Sequence, residues 1–278
     1  MIFFIFFFFY LFPLIKCKIN INELNICVWL SGSAYCEKDK YHSMKLNGPA
    51  KQFIHFENIY SEKTDTQGFI GIIENTKTIY VVLRGTYSLT NWLDDFEIKL
   101  VPYYLDGLDV LDGSKVHYGF YNSALNIANK TRESINKLRI IYPNFKIIIT
   151  GHSYAASSGQ LLALELIKFG IKNIEIINFG QPRVGNNKYA FFVNKYIKII
   201  RITHERDIVP HLPLSFSDEQ YIHSCGEIFE TNNTLIECSK TICEDPKCSN
   251  QYSLTETNII DHSYYLDHQL SCENSIIN

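Results

Sequence analysis

Apolar residues recur along this chain in two alternating periods. Short β-branched runs fall at Gly68 to Glu74, Thr78 to Arg84, Lys115 to Phe120, Ile147 to Ile149, Ile174 to Phe179 and Ile197 to Thr203, and each reads as a strand. Residues Ile21 to Tyr35 read as a helix with Leu24 and Val28 on one side, ending at Ser31-Gly32-Ser33. A longer helix follows KVHYGF and runs to about Ile141, with Phe120, Ala124, Ile127, Ala128, Ile135 and Leu138 on one face and Pro143 as its stop. Asn75-Thr76-Lys77 between two β-rich runs predicts a hairpin. Strands alternating with helices imply a mainly parallel sheet with helices on both faces. After residue 220 the pattern changes. Gln220 to Thr231 reads as strands, Thr234 to Asn250 as a cysteine-bearing loop, and Asn258 to Tyr265 sets a histidine just after an apolar pair.

The stretch IIITGHSYAASSGQLLALEL, from Ile147 to Leu166, carries the first chemistry. A buried strand runs into a tight turn holding Ser153, and the turn enters a helix whose Leu161, Leu162, Leu164, Glu165 and Ile167 predict one dry face. A serine on such a strained strand-to-helix turn is the arrangement of a nucleophile elbow, which demands small residues two positions to either side. Gly151 and Ala155 occupy those positions. The plainer reading is a strand-helix junction with a small-residue turn. An acid and a histidine in the right order downstream decide between the two.

Upstream, TIYVVLRGT ends in Arg84-Gly85-Thr86, a strand end where a glycine lets backbone N–H groups approach a ligand. An acyl-transfer enzyme needs one oxyanion donor in such a loop and a second on the residue after the nucleophile, here Tyr154. Next, SLTNWLDDFEIKL sets Leu89, Trp92, Leu93, Phe96 and Leu100 at helical spacing. That amphipathic segment fits a lid opening at a lipid surface, and equally a helix packed permanently on the core.

At 278 residues, 46% hydrophobic and with a net charge of −3, the chain supports one large domain with no basic excess for nucleic acid. Residues 1–19, MIFFIFFFFYLFPLIKCKI, read as a secretory signal, with cleavage between about Cys17 and Asn20; a retained signal anchor is the alternative. Residues 20–278 form the domain. Eight cysteines agree with an oxidising compartment, and loss of Cys17 leaves an odd seven. Cys238, Cys243 and Cys248 lack paired C-x-x-C units and a nearby histidine, which makes zinc the weaker reading. Two sequons, at Asn129 and Asn232, are open to glycans in a secreted chain.

A serine hydroxyl becomes a good nucleophile when an imidazole takes its proton and a buried carboxylate fixes that imidazole. Ser153, Asp207 and His262 follow the order serine, acid, histidine. Of the nine histidines only His211, His223, His262 and His268 follow Asp207. His211 leaves the same strand end as Asp207, and His223 lies within a strand by pattern.

The stretches TIYVVLRGTYSLTNW, KVHYGF, TGHS, FGQPRVGN, RITHERDIVPHLP and DHSYY, in this order between about Asn22 and Cys272, resemble the class 3 lipases, the family of secreted fungal triacylglycerol lipases. The resemblance implies an α/β-hydrolase fold with a helical lid, and a secreted or lumenal esterase acting on lipid esters at an oil–water or membrane interface. It implies a triad of Ser153, Asp207 and His262, an oxyanion hole at Thr86 and Tyr154, and a lid around Leu89, Trp92, Leu93 and Phe96. No metal or organic cofactor is called for. Cys36 and Cys272 match a terminal disulfide and Cys238 with Cys248 a second, although Cys243 is able to replace either partner of the latter; Cys27 and Cys225 match nothing. The family usually reads G-H-S-L-G-G-A where this chain has Tyr154-Ala155-Ala156-Ser157, so altered substrate choice is expected. The alternatives are a phospholipase or feruloyl-type esterase on the same fold, or an inactive lipid-binding homologue.

Overall fold

The computed structural model describes residues 20–86, 98–215 and 220–277. The expected leader and the lid positions Leu89, Trp92, Leu93 and Phe96 lie outside the described residues.

Helix α1 (Ile21–Ser33) starts at Asn20, whose side chain accepts the Glu23 N–H as an N-cap. Strands β1 (Ile54–Ser61), β2 (Thr66–Ile73) and β3 (Thr78–Leu83) form an antiparallel meander, with the predicted hairpin at Asn75-Thr76-Lys77 joining the last two. Two short strands, β4 (Leu100–Pro102) and β5 (Lys115–His117), precede α2 (Tyr118–Ile141). The His117 ring caps α2 by accepting the Phe120 N–H, and Pro143 follows its end. Then come β6 (Lys146–His152), α3 (Tyr154–Lys168), β7 (Ile174–Phe179), β8 (Gly185–Asn186), α4 (Asn187–Tyr196) and β9 (Lys198–His204). The tail adds β10 (Tyr221–Ile222), the hairpin β11 (Glu227–Thr231) and β12 (Thr234–Glu237), the small hairpin β13 (Tyr264–Tyr265) and β14 (His268–Gln269), and α5 (Cys272–Ser275).

The main sheet runs β1-β2-β3-β6-β7-β9-β11-β12. Its centre, from β3 to β11, is parallel, and antiparallel pairs finish both edges. Parallel strands need crossovers, and the crossover helices α2, α3 and α4 cover one face, while α1 and the C-terminal segment, at the two ends of the chain, cover the other. All four parallel junctions carry their strands the same way, so the carboxyl ends of β3, β6 and β9 gather on one edge. Sites in open α/β sheets collect at that edge. Among the described residues no helix is long and apolar enough to cross a membrane.

Two local expectations change. Helix α3 is buried from Ala155 to Leu166, not on one face, because it is sandwiched between the sheet and α2. Even Glu165 is inside, and burial raises its carboxyl pKa. The cysteine-bearing segment from Thr234 is not wholly a loop, since Thr234–Glu237 pairs with β11.

Three disulfides close the described chain: Cys36–Cys272, Cys238–Cys248 and Cys225–Cys243. The first two are those the resemblance implies. The third pairs a cysteine that matched nothing with the one that competed for Cys238 or Cys248. Spacing alone was unable to separate these options, because the strand β11 between Cys225 and Cys238 decides which sulfurs meet. Cys27 is a buried free thiol on α1, its pKa driven far up chiefly by burial.

Candidate active site

Strand β6 delivers Ser153 at the catalytic edge with φ 60 and ψ −130, directly before the first turn of α3. Positive φ in a residue with a side chain is strained by about 1–3 kcal/mol and persists only where the surroundings enforce it. Here the Ser153 N–H donates to Phe179 O of β7 (3.0 Å) and the Ala156 N–H donates back to Ser153 O (3.0 Å). Close packing completes the elbow: a Cβ placed on Gly151 would lie 3.0 Å from the Ala155 Cβ and 3.2 Å from Leu83 O. The glycine therefore leaves the space that Ala155 fills. Ser153 Oγ is buried and has no hydrogen-bond partner among the described residues.

Asp207 lies just past β9, after a turn in which Glu205 takes φ 38. Its carboxylate is 2% exposed. One oxygen accepts the Val209 N–H (2.8 Å), and the other is hydrogen-bonded to His262 Nδ1 (2.7 Å) and accepts the Tyr265 hydroxyl. Burial, then the Asp207 charge, holds the Tyr265 phenol well above its ordinary pKa, so it stays a donor. With its oxygens already accepting from Val209 and Tyr265, the Asp207 carboxylate accepts from His262 Nδ1–H as well, which leaves Nε2 as the acceptor of the ring. That Nε2 is buried and, among the described residues, without a partner, like Ser153 Oγ.

His262 reaches this place because Gly180, at φ 56 after β7, has no side chain. A Cβ there would sit 2.6 Å from His262 Cε1, 2.8 Å from Nδ1 and 2.9 Å from the Tyr265 hydroxyl. The His262 ring also packs at a tilt against His152, the residue before the serine, with ring centroids 4.2 Å apart. The structure thus joins Asp207, past the end of β9, to His262 of the tail, and sets Ser153 at the end of β6, next in sequence to the His152 ring that packs on His262.

Thr86 and Tyr154 both line a cleft of about 240 Å³, together with Gly85, Ala155 and Ser158. Tyr154 opens α3, where backbone N–H groups lie beyond the reach of intrahelical acceptors and the helix dipole is positive. Its side chain turns away towards α2: the phenol bonds Ser123 (2.9 Å) and the ring meets Phe120 edge-on. The side chain thereby joins α2 to α3.

Two of the other late histidines are engaged elsewhere: His223 Nε2 donates to Pro210 O (2.7 Å), and His268 stacks on Trp29 and bonds Ser275. The third, His211, is buried two residues past Val209, its carbonyl accepting from Arg183 and its Nε2 without a partner among the described residues. Glu227 lies beside Cys238 and Cys248, but both sulfurs are spent in their disulfide. Residue patterns missed Tyr265 and Gly180, although both sit inside stretches that carry the resemblance; only their contacts give them roles.

A family profile described as "Lipase (class 3)" matches residues 80–217. The lipase of Rhizomucor miehei is 31% identical over 263 residues, spanning 88% of this chain and 68% of the relative. The secreted mono- and diacylglycerol lipase 2 of Gibberella zeae is 32% identical over 200 residues, 61% of this chain and 48% of the relative. A solved triacylglycerol lipase, described as having a serine protease triad at its catalytic centre, superposes with a TM-score of 0.81 at 30% identity, over 91% of this chain and 96% of that one. The chain spans about two thirds of the Rhizomucor sequence and about half of the Gibberella one. With the sheet order, the elbow and these likenesses in agreement, the chain belongs to the class 3 lipase family and has the α/β-hydrolase fold.

Proposed function

We propose that this protein is a secreted carboxylic-ester hydrolase that cleaves lipid esters, acylglycerols among them, through an acyl-enzyme on Ser153. The observation that carries the reading is the buried His262–Asp207 bond standing beside a serine held at φ 60. In this reading Ser153 Oγ attacks the ester carbonyl while His262 Nε2 takes its proton. Asp207 keeps the imidazole in the Nδ1–H form and stabilises the imidazolium. The N–H groups of Thr86 and Tyr154 receive the oxyanion, where preorganised donors are worth about 10²–10³ in rate each. His262 then returns the proton to the leaving alcohol, and water repeats the cycle to free the fatty acid.

The three disulfides and the secreted relatives support release into an oxidising space, and residues 1–19 are the leader in this proposal. The named activities of the relatives support acylglycerols ahead of phospholipids or feruloyl esters. Partial glycerides join the panel because one relative is named for them.

A fluorophosphonate probe tests the core of the proposal. Wild type should label, and Ser153→Ala and His262→Ala should not. Folded wild type that stays unlabelled, with detergent micelles present, would remove the hydrolase reading.

A further inference from the structure

Beside the Ser153, Asp207 and His262 constellation lies a second chain of hydrogen bonds that the reaction as drawn does not use. His152 is buried, and both its ring nitrogens are engaged: Nδ1 meets the Tyr35 hydroxyl at 2.7 Å, and Nε2 meets the carbonyl oxygen of His262 at 2.8 Å. The carbonyl can only accept, so Nε2 must carry the proton. That leaves Nδ1 as an acceptor and makes Tyr35 the donor. The direction of the whole chain follows: Tyr35 hydroxyl to His152 Nδ1, and His152 Nε2–H to His262 O.

Tyr35 is held in place for this. Its neighbour Cys36 is tied to Cys272 beyond the His262 loop. Its hydroxyl lies over the end of β3, where a Cβ on Gly85 would come within 2.3 Å of it and within 2.7 Å of His152 O. One phenol therefore touches the oxyanion loop and the nucleophile elbow, and through His152 reaches the backbone of the base.

We propose that Tyr35 and His152 are positioning residues for His262: they fix its main chain so that the imidazole meets Ser153, and they present a neutral ring to the imidazolium that forms during turnover. The proposal rests on His262 being the general base. Burial, with the neighbouring His262 ring, keeps His152 well below the usual histidine pKa. The ring separation of 4.2 Å makes this matter, since a protonated His152 would repel an imidazolium at that range. In Asp207 the base has a partner for its ring; in His152 it has one for its backbone.

The test uses the full secreted protein and a water-soluble p-nitrophenyl butyrate, which keeps lipid interfaces out of the measurement. Tyr35→Phe should lower kcat about fivefold to tenfold, the cost of about one hydrogen bond, with KM within about twofold of wild type. His152→Gln, whose amide N–H is able to replace Nε2–H, should retain more kcat than His152→Asn, which is too short. Melting temperatures identify any variant that fails to fold. In a histidine-labelled sample, nitrogen NMR should show His152 protonated on Nε2 and not Nδ1.

A Tyr35→Phe enzyme with wild-type kcat, or a His152 protonated on Nδ1, overturns the proposal. Wild type that neither labels with fluorophosphonate nor hydrolyses the ester refutes the hydrolase reading instead, and the tautomer measurement still decides whether the hydrogen-bond chain exists.

Discussion

Gly180→Ala separates geometry from stability at this site. The glycine has φ 56, and a methyl there would lie 2.6 Å from His262 Cε1 and 2.8 Å from Nδ1. Ordinary carbon contacts begin near 3.5 Å, so the ring must retreat by roughly 1 Å. Misplacing a reacting group by about 1 Å costs about 10²-fold in rate, equivalent to about 2.7 kcal/mol of barrier. Left-handed backbone for alanine adds about 1–2 kcal/mol of instability and overpacking about 1–3. Gly170→Ala supplies the control, because Gly170 has φ 80 and nothing within 4 Å of its missing Cβ. It should carry the backbone cost alone. The expected result, read from p-nitrophenyl butyrate kinetics and thermal melts, is lower stability in both variants and a fall in kcat of about 100-fold only in Gly180→Ala. Equal kcat in the two variants, or a Gly180→Ala rate within threefold of wild type, would refute the argument that this glycine makes room for the base.

Three further outcomes follow from the same structure. Tyr265→Phe removes a hydrogen bond to the ionised Asp207 and should destabilise the fold by about 1.5–3 kcal/mol in urea unfolding; no change in midpoint would contradict the bond. Replacing Cys36 and Cys272 by serine frees a separation of 236 residues and should cost about 5 kcal/mol by chain entropy, against about 3 for Cys238 and Cys248 with a separation of 10; the reverse order would count against that account. Burial depresses His268 to about 4 and lowers His152, His211 and His223 as well, so the stability their neutral forms contribute is complete above about pH 6.5. It should fall steadily as pH drops towards about 4. Melting curves flat between pH 7 and 4 would show that these rings already titrate freely in the fold.

Cys27 sits inside α1 with its thiolate strongly disfavoured, which removes it from disulfide exchange. Cys27 is thereby a packing residue.

Periodicity alone carried the strands and helices around the elbow, because buried parallel strands demand continuous β-branched runs and crossover helices demand a 3.6-residue repeat. Chain order made Ser153, Asp207 and His262 the candidates, and the fold sets Ser153 and Asp207 past strand ends on one edge, with His262 bonded to Asp207. Other features needed the third dimension. Helix α3 is dry all round because α2 covers it, and the local pattern of α3 holds no record of α2. Cys225 found Cys243 because β11 and the loop after β12 return to one place, a fact set by strand pairing and not by spacing. Gly180, Tyr265, Tyr35 and His152 matter through contacts made across as many as 117 residues of sequence, as between Tyr35 and His152. The sequence by itself determined the family and the candidate groups for chemistry; only the tertiary structure decided what holds those groups, because support comes from whichever distant side chains the packed core brings within hydrogen-bonding reach.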